Sequence, residues 1–453
     1  MLPHLSPAGT ANSGSLDPEF EKVPFAKWFS GEPQTSLRWS TRVLPVLLSV
    51  HQRLLTRIQV QLDGAEAARR RGEGSLIFYF QLTDSQGHVY QDHTTYDLEK
   101  VESGLRAQDL VCTESAFVLP GDYAVSLAIY NTATREHSVK RNKLHVAPLR
   151  SDPLPQAGRD LPAVEFIEAS DPPDRWFLPK EHGRLHLPVD SSRPLHIEVL
   201  ANLTPTQAAG RLYGLQDRNY GVLLPALKVI SQLSGQQLSK NFSLLDLSRR
   251  KEVFHQEDVD ELDWPAIKSS LSNAGSGSID VKSLADRQHN AAFFVREVGK
   301  RLAAAKPKQA LIILSGPMVF ETAQDLSGTE LQAAPGARVF YIRLQSIALA
   351  RPRPGADMGR RSMGRLSNPS ERSPNGELMG RLFIDQLEPT LKAIDPKVFD
   401  VASADQFRKA LAAIIDELSG APGAATAVPV PSPDWSSTSG RYRPAGSPLS
   451  SIP

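Results

Sequence analysis

At 453 residues the chain is long enough for two or three ordinary cores. Its 51 Lys and Arg against 50 Asp and Glu leave a net charge of +1, which gives no support to a general nucleic-acid or membrane-surface role. The single cysteine, Cys112, excludes an intrachain disulfide and a cysteine-based zinc site. No apolar run reaches the roughly 18 residues that a membrane span needs. Met1 to Pro18 has neither a positive end nor an apolar centre, so it is not a secretory signal. Export, if it occurs, would use residues upstream of Met1.

Residues 1–34 read as a disordered start followed by a short amphipathic helix. Phe20, Val23, Phe25, Trp28 and Phe29 cluster before Gly31 and Pro33 end the pattern. The spacing predicts an aromatic face docked on the next domain, with a partner-binding peptide as the competing reading.

Residues 35–148 read as strands. Leu54, Ile58, Val60 and Leu62 are interleaved with polar residues, Ser75 to Thr83 has an apolar centre, and Ser85 to His88 forms a turn. Val125, Leu127 and Ile129 point one way, and Asn131 to His137 is a polar hairpin connection. Short strands at such intervals predict a β-sandwich. Cys112 falls in one of its strands without a nearby His and is expected to be inert.

Residues 149–194 form a proline-rich connector in which helix is disfavoured and few apolar residues could build a core. Val164 to Ile167 and Arg184 to Pro188 could pair along a sheet edge. His182 and His186 share a face, but no third ligand is near, so they read as surface histidines and not as a zinc site.

From 195 to 420 the pattern becomes α/β. Pro194 to Thr206 is a buried strand running into a polar loop, and a helix over Asn219 to Leu233 follows. A second strand spans Asn241 to Leu247, a short antiparallel edge strand Glu252 to Gln256, and helices Asp260–Ala274 and Ala285–Ala305. Ala310 to Leu314 is a fully buried strand, and Arg338 to Arg343 is the next. A helix over Glu377 to Ile394, a strand at Lys397 to Val401 and a helix over Ser403 to Leu418, opened by a capping box, complete the region. Arginine-rich residues 348–375 read as a flexible insertion, and 421–453 as a disordered tail. In parallel sheets ligands bind beyond the carboxyl ends of strands, which makes Asn202, Thr204 and Thr206 the first candidate site residues.

This succession resembles a von Willebrand factor type A (VWA) domain, a Rossmann-like fold with a mostly parallel sheet. The segment Leu119-Pro-Gly-Asp-Tyr-Ala-Val-Ser-Leu with Lys143-Leu-His-Val resembles the last hairpin of bacterial immunoglobulin-like domains. Together they resemble bacterial VWA-related proteins that carry an N-terminal immunoglobulin-like β-sandwich and are usually exported. The resemblance implies an Asp-x-Ser-x-Ser loop for Mg²⁺, a later Thr and an Asp after the central strand. Here the loop reads Asn202-Leu-Thr-Pro-Thr206, and Ser315 stands where the family has Asp. Ser278, Asp280 and Ser283 are the positional candidates for the later Thr. A hard cation wants charged oxygens, and both family carboxylates are gone, so neither Mg²⁺ nor another cofactor is expected. Asn202 and the threonines would instead satisfy the backbone of their loop.

No catalytic residues emerge. The chain has no G-x-G-x-x-G after a strand, no P-loop, no H-E-x-x-H and no G-x-S-x-G. The acidic cluster from Glu257 to Asp263 reads as charge at a helix start. The expectation is a non-enzymatic protein-interaction module that binds an unidentified protein partner. The alternatives are a metal-dependent adhesion protein with an unusual site and an enzyme on an α/β scaffold.

Overall fold

A computed structural model describes residues 24–31, 34–72, 74–100, 109–167, 178, 180–204, 215–275, 289–303, 309–318, 331, 337–345 and 385–420. The expected disordered start before residue 24, the insertion 348–375, the tail 421–453, Thr206, Ser278, Asp280 and Ser283 lie outside these residues.

The chain is β-rich and built on several sheets. After helix α1 (Phe25–Phe29), the strands β1 (Trp39–Val43), β2 (Leu47–Leu48) and β3 (Leu54–Leu62) lead into helix α2 (Gly64–Arg69). Five further strands follow: β4 (Ser75–Thr83), β5 (Val89–Asp97), β6 (Leu110–Val118), β7 (Gly121–Asn131) and β8 (His137–Val146). Strand β9 (Val164–Phe166) comes from the connector. One antiparallel sheet runs β1-β3-β6-β9 with β2 on β3, and the other runs β5-β4-β7-β8. Alternation along the strands explains their packing. Ile58, Val60 and Leu62 of β3 meet Phe78, Phe80 and Leu82 of β4 and Val125, Leu127 and Ile129 of β7 in one core between the sheets. The outer face of the second sheet is covered by α1. Phe25 stacks on Tyr79 at 3.9 Å and Trp28 on His137 at 4.2 Å between ring centroids. Cys112 is buried, and burial pushes its thiol up to about 12.

Strands β10 (Leu187–Pro188) and β11 (Leu195–Asn202) precede helix α3 (Leu215–Ser231). Next come β12 (Leu233–Ser234), β13 (Leu238–Asp246), β14 (Lys251–Gln256), and helices α4 (Trp264–Gly275) and α5 (Asn290–Ala303). Strands β15 (Gln309–Ser315) and β16 (Arg338–Leu344), helix α6 (Glu388–Leu391), strand β17 (Lys397–Val401) and helix α7 (Ala404–Ser419) end the described chain. The six-stranded sheet runs β14-β13-β11-β15-β16-β17 and is mixed. The four pairings among β13, β11, β15, β16 and β17 are parallel, and β14 alone is antiparallel. Its two faces are both buried. Ile197, Val199 and Ala201 pack with α3, α4 and α7, whereas Leu200, Ile313 and Tyr341 pack with α5 and α6.

Several element boundaries differ from the sequence reading. Helix α3 stops at Ser231, because Leu233 and Ser234 pair in parallel with Leu187 and Pro188. The two connector strands therefore join different sheets, β9 on β6 and β10 on β12, and do not pair with one another. Asp263 precedes α4 and caps it, its carboxylate accepting the Ala266 N–H at 2.9 Å. Of the expected helix Glu377–Ile394, residues 377–384 lie outside the described residues, and within 385–394 the helix runs from Glu388 to Leu391 with a 3-10 turn to Ile394. Pro389 suits a helix start and not its interior.

The connector also contributes more to the core than its prolines suggest. Ala157, Leu178, Leu185, Leu187 and Val189 are buried, because extended backbone can present alternate side chains inward without regular structure. Two of its carboxylates, Asp152 and Glu181, tie the antiparallel sheets to the mixed-sheet region, and a third, Glu165, ties the β2–β3 turn to the rest of the connector. Asp152 takes two hydrogen bonds from Arg408 of α7, at 2.5 and 2.8 Å, and Arg408 also donates to the Gln52 carbonyl at 3.3 Å. Glu165 accepts from Arg53 at 2.7 Å and from the Gly183 N–H at 3.1 Å. Glu181 lies between His51 and Lys228. Burial opposes ionisation of Asp152, yet the hydrogen bonds and charge of Arg408 outweigh it and hold the carboxyl below its ordinary value.

Replacing Arg408 with Met leaves Asp152 largely buried without its cation, and is expected to cost about 3 kcal/mol. A lower urea midpoint together with faster proteolysis within residues 149–194 would show it; an unchanged midpoint would count against this tie.

Glu114 of β6 accepts a hydrogen bond from Thr94 of β5 at 3.1 Å, across the gap between the two antiparallel sheets. Burial, reinforced by the charge of Asp92, pushes its carboxyl up from 4.5 to about 8. The folded chain thus holds a proton that the unfolded chain has released. That contribution is fully present below pH 4.5 and is lost as pH rises through about 8. Glu114→Gln stays neutral throughout. Urea denaturation at pH 5 and pH 9 is expected to show the variant gaining stability relative to the parent at the higher pH.

Candidate functional site

Strands β11 and β15 run side by side, with Ala201 opposite Leu314, so Asn202 and Ser315 emerge together at the carboxyl end of the mixed sheet. The Asn202 side-chain amide donates to Ser315 Oγ at 2.9 Å. The Ser315 hydroxyl in turn donates to the Gly316 carbonyl at 2.7 Å. Asn202 Oδ1 accepts the Thr204 N–H at 3.0 Å, and Thr204 Oγ1 accepts the Leu247 N–H at 2.7 Å. All three side chains are buried. The structure thus brings Asn202, Thr204 and Ser315 into one hydrogen-bonded chain that links the ends of β11, β13 and β15.

One carboxylate at this end of the sheet was not singled out by sequence reasoning. Asp385 accepts the Met318 N–H at 3.0 Å, the Leu387 N–H at 3.1 Å and the Tyr341 hydroxyl at 2.8 Å. Arg343 lies 3.6 Å from it and also pairs with Glu388 and Asp400, both at 2.6 Å. Burial, with the Asp385 charge beside it, pushes the Tyr341 phenol far above its ordinary range, so it stays a hydrogen-bond donor. The sequence signal was Pro389, which marks a helix start and leaves Asp385 in the preceding turn. Just before the undescribed residues 346–384, the Gln345 N–H donates to the Val401 carbonyl at 2.8 Å.

The arrangement is rich in oxygen atoms and poor in free charge. Asp385 is spent on two backbone N–H groups, a phenol and an arginine. Asn202 presents an amide N–H to Ser315, a donor where a cation would need an acceptor. Among the described residues, no group of three or more His, Cys, Asp or Glu side chains is disposed to hold a metal ion. His182 and His186 lie elsewhere, along a cleft at the opposite end of the sheet.

No family model and no curated protein matches the sequence. Solved structures with some similarity include the Northeast Structural Genomics Consortium target SoR45, with 12% identity over 26% of this chain and 95% of that one and a TM-score of 0.18. An ApaA protein from Bordetella pertussis has 10% identity over 26% of this chain and 100% of its own, with a TM-score of 0.16. A calcium-binding mutant of Bacteroides uniformis beta-glucuronidase 2 has 8% identity over 67% of this chain and 33% of its own, with a TM-score of 0.15. At such TM-scores these likenesses carry no argument about fold or function.

Thr204→Val removes the acceptor for the Leu247 N–H while nearly conserving volume. Leaving that buried donor unpaired is expected to cost about 1–3 kcal/mol, read as a drop in the urea midpoint. A drop well under that range would mean that the loop re-pairs its backbone without the hydroxyl.

Proposed function

We propose that the mixed-sheet region is a VWA-like domain that binds a protein partner without catalysis and without a working metal site, with an immunoglobulin-like sandwich ahead of it. The order β14-β13-β11-β15-β16-β17 with one antiparallel edge strand supports the VWA-like reading. The observation that carries the functional part is the 2.9 Å hydrogen bond from Asn202 to Ser315. The two positions at which the resemblance implies carboxylates spend their polar atoms on each other and on the adjacent backbone. A hard divalent cation must be repaid for its lost water with charged oxygens, and this pair has none to give. The loops at this end of the sheet then serve as a surface for a protein.

The test is calorimetry with MgCl₂ and MnCl₂ on the parent and on the double variant Asn202→Asp, Ser315→Asp. The parent is expected to give no saturable heat. The double variant is expected to bind metal, and its melting temperature to rise with added ion. Strong Mg²⁺ binding by the parent would overturn the metal-free reading. No gain in the double variant would count against the VWA-like geometry. Capture of a protein partner is expected to survive EDTA; loss on chelation would favour metal-dependent adhesion instead.

A further inference from the structure

The amino ends of the parallel strands lie opposite the candidate site, and there the connector leaves a cleft of about 800 Å³. Arg184, Lys240, His182, His186, Asp160 and Asp260 line it. A second hollow of about 500 Å³ shares His182, Arg184 and Asp260 with the first.

Lys240 is 6% exposed and donates to the Ser231 carbonyl at 2.6 Å and the Leu233 carbonyl at 2.7 Å. The first carbonyl ends helix α3, whose dipole favours a cation there, the second opens β12, and together they account for two of the three ammonium protons. Arg184 donates to the main-chain oxygen of Asp260 at 3.1 Å. Among the described residues, neither cation has a carboxylate at ion-pair distance, although Asp160 pairs with His186 at 3.3 Å. Burial first, and then the charge of Arg184, push the Lys240 amine down to about 8, while Asp260 acts in the other direction. Capping α3 explains why Lys240 is a lysine. It does not explain a second cation placed beside it on the same cleft without a paired carboxylate.

We propose that this cleft binds a small polar ligand through a compact oxyanion, phosphate or carboxylate, held between Arg184 and Lys240. The oxyanion accepts the remaining ammonium proton and the unused guanidinium N–H groups, and it removes the repulsion between the two cations. The histidines and Asp260 face the rest of such a ligand.

The full chain at pH 7 is titrated separately with inorganic phosphate and with succinate, against sodium chloride of matched ionic strength, and followed by calorimetry and thermal melting. One of the two anions is expected to bind saturably and to raise the melting temperature beyond the chloride control; which one does so names the headgroup. Arg184→Gln is expected to weaken that binding at least tenfold while the melting temperature without ligand stays near that of the parent. Lys240→Met is expected to weaken it likewise, and if loss of the helix cap unfolds that variant, Arg184→Gln decides alone. No saturable effect of either anion, or unchanged affinity in Arg184→Gln, overturns the proposal.

Discussion

The constraint on which this architecture turns is the burial of charge in the connector. Asp152 and Glu181 are carried by backbone without regular structure and Glu165 by the short strand β9, and each is drawn to a cation or an N–H group that a different part of the chain supplies. Taking charges out of water is costly, so a carboxylate in such a place is tolerated only when its partners are in register. Arg408 meets the connector and the β2–β3 turn together, through Asp152 and the Gln52 carbonyl. Apolar packing supplies most of the gain from folding. These pairs add direction, because a greasy contact tolerates sliding and a buried ion pair does not.

The same reasoning applies at the carboxyl end of the mixed sheet, with neutral groups. Asn202, Thr204 and Ser315 satisfy one another and the backbone around them. A polar cluster there could suggest reactivity, but its donors and acceptors are nearly balanced inside the fold. The cleft at the amino end differs in kind, since Arg184 and Lys240 keep charge that no carboxylate at ion-pair distance offsets among the described residues.

Much of the fold was legible because its strands carry strong periodic or unbroken apolar patterns. The alternation in β3 and the run Ala310 to Leu314 could hardly serve any other structure. The aromatic set Phe25, Trp28 and Phe29 announced a docked helix, although not that Tyr79 and His137 would receive it. Local pattern failed where a distant partner decided the outcome. Leu233 fits the helical spacing of α3, yet pairing with Leu187 draws it into a strand. The connector's few apolar residues and many prolines point away from a core, yet isolated inward residues such as Leu185 and Val189 are enough to join one. Asn202 and Ser315 could be placed together from strand order. Asp385 could not, since its role depends on Met318 and Tyr341, remote in sequence. Nothing in the sequence sets Lys240 apart, and only the folded end of α3 gives it meaning.

The anchoring around Asp385 has a bearing on how the chain could have changed over time. Gln345 is tied to Val401 on one side of residues 346–384, and Asp385 is tied to Met318 and Tyr341 on the other. The entropic cost of closing a loop grows only with the logarithm of its length, so once both ends are clamped, each further residue adds little. Contacts among the described residues thus fix the register of β15, β16 and β17 on both sides of this stretch, so a change in the length of chain between Gln345 and Asp385 need not disturb their pairing.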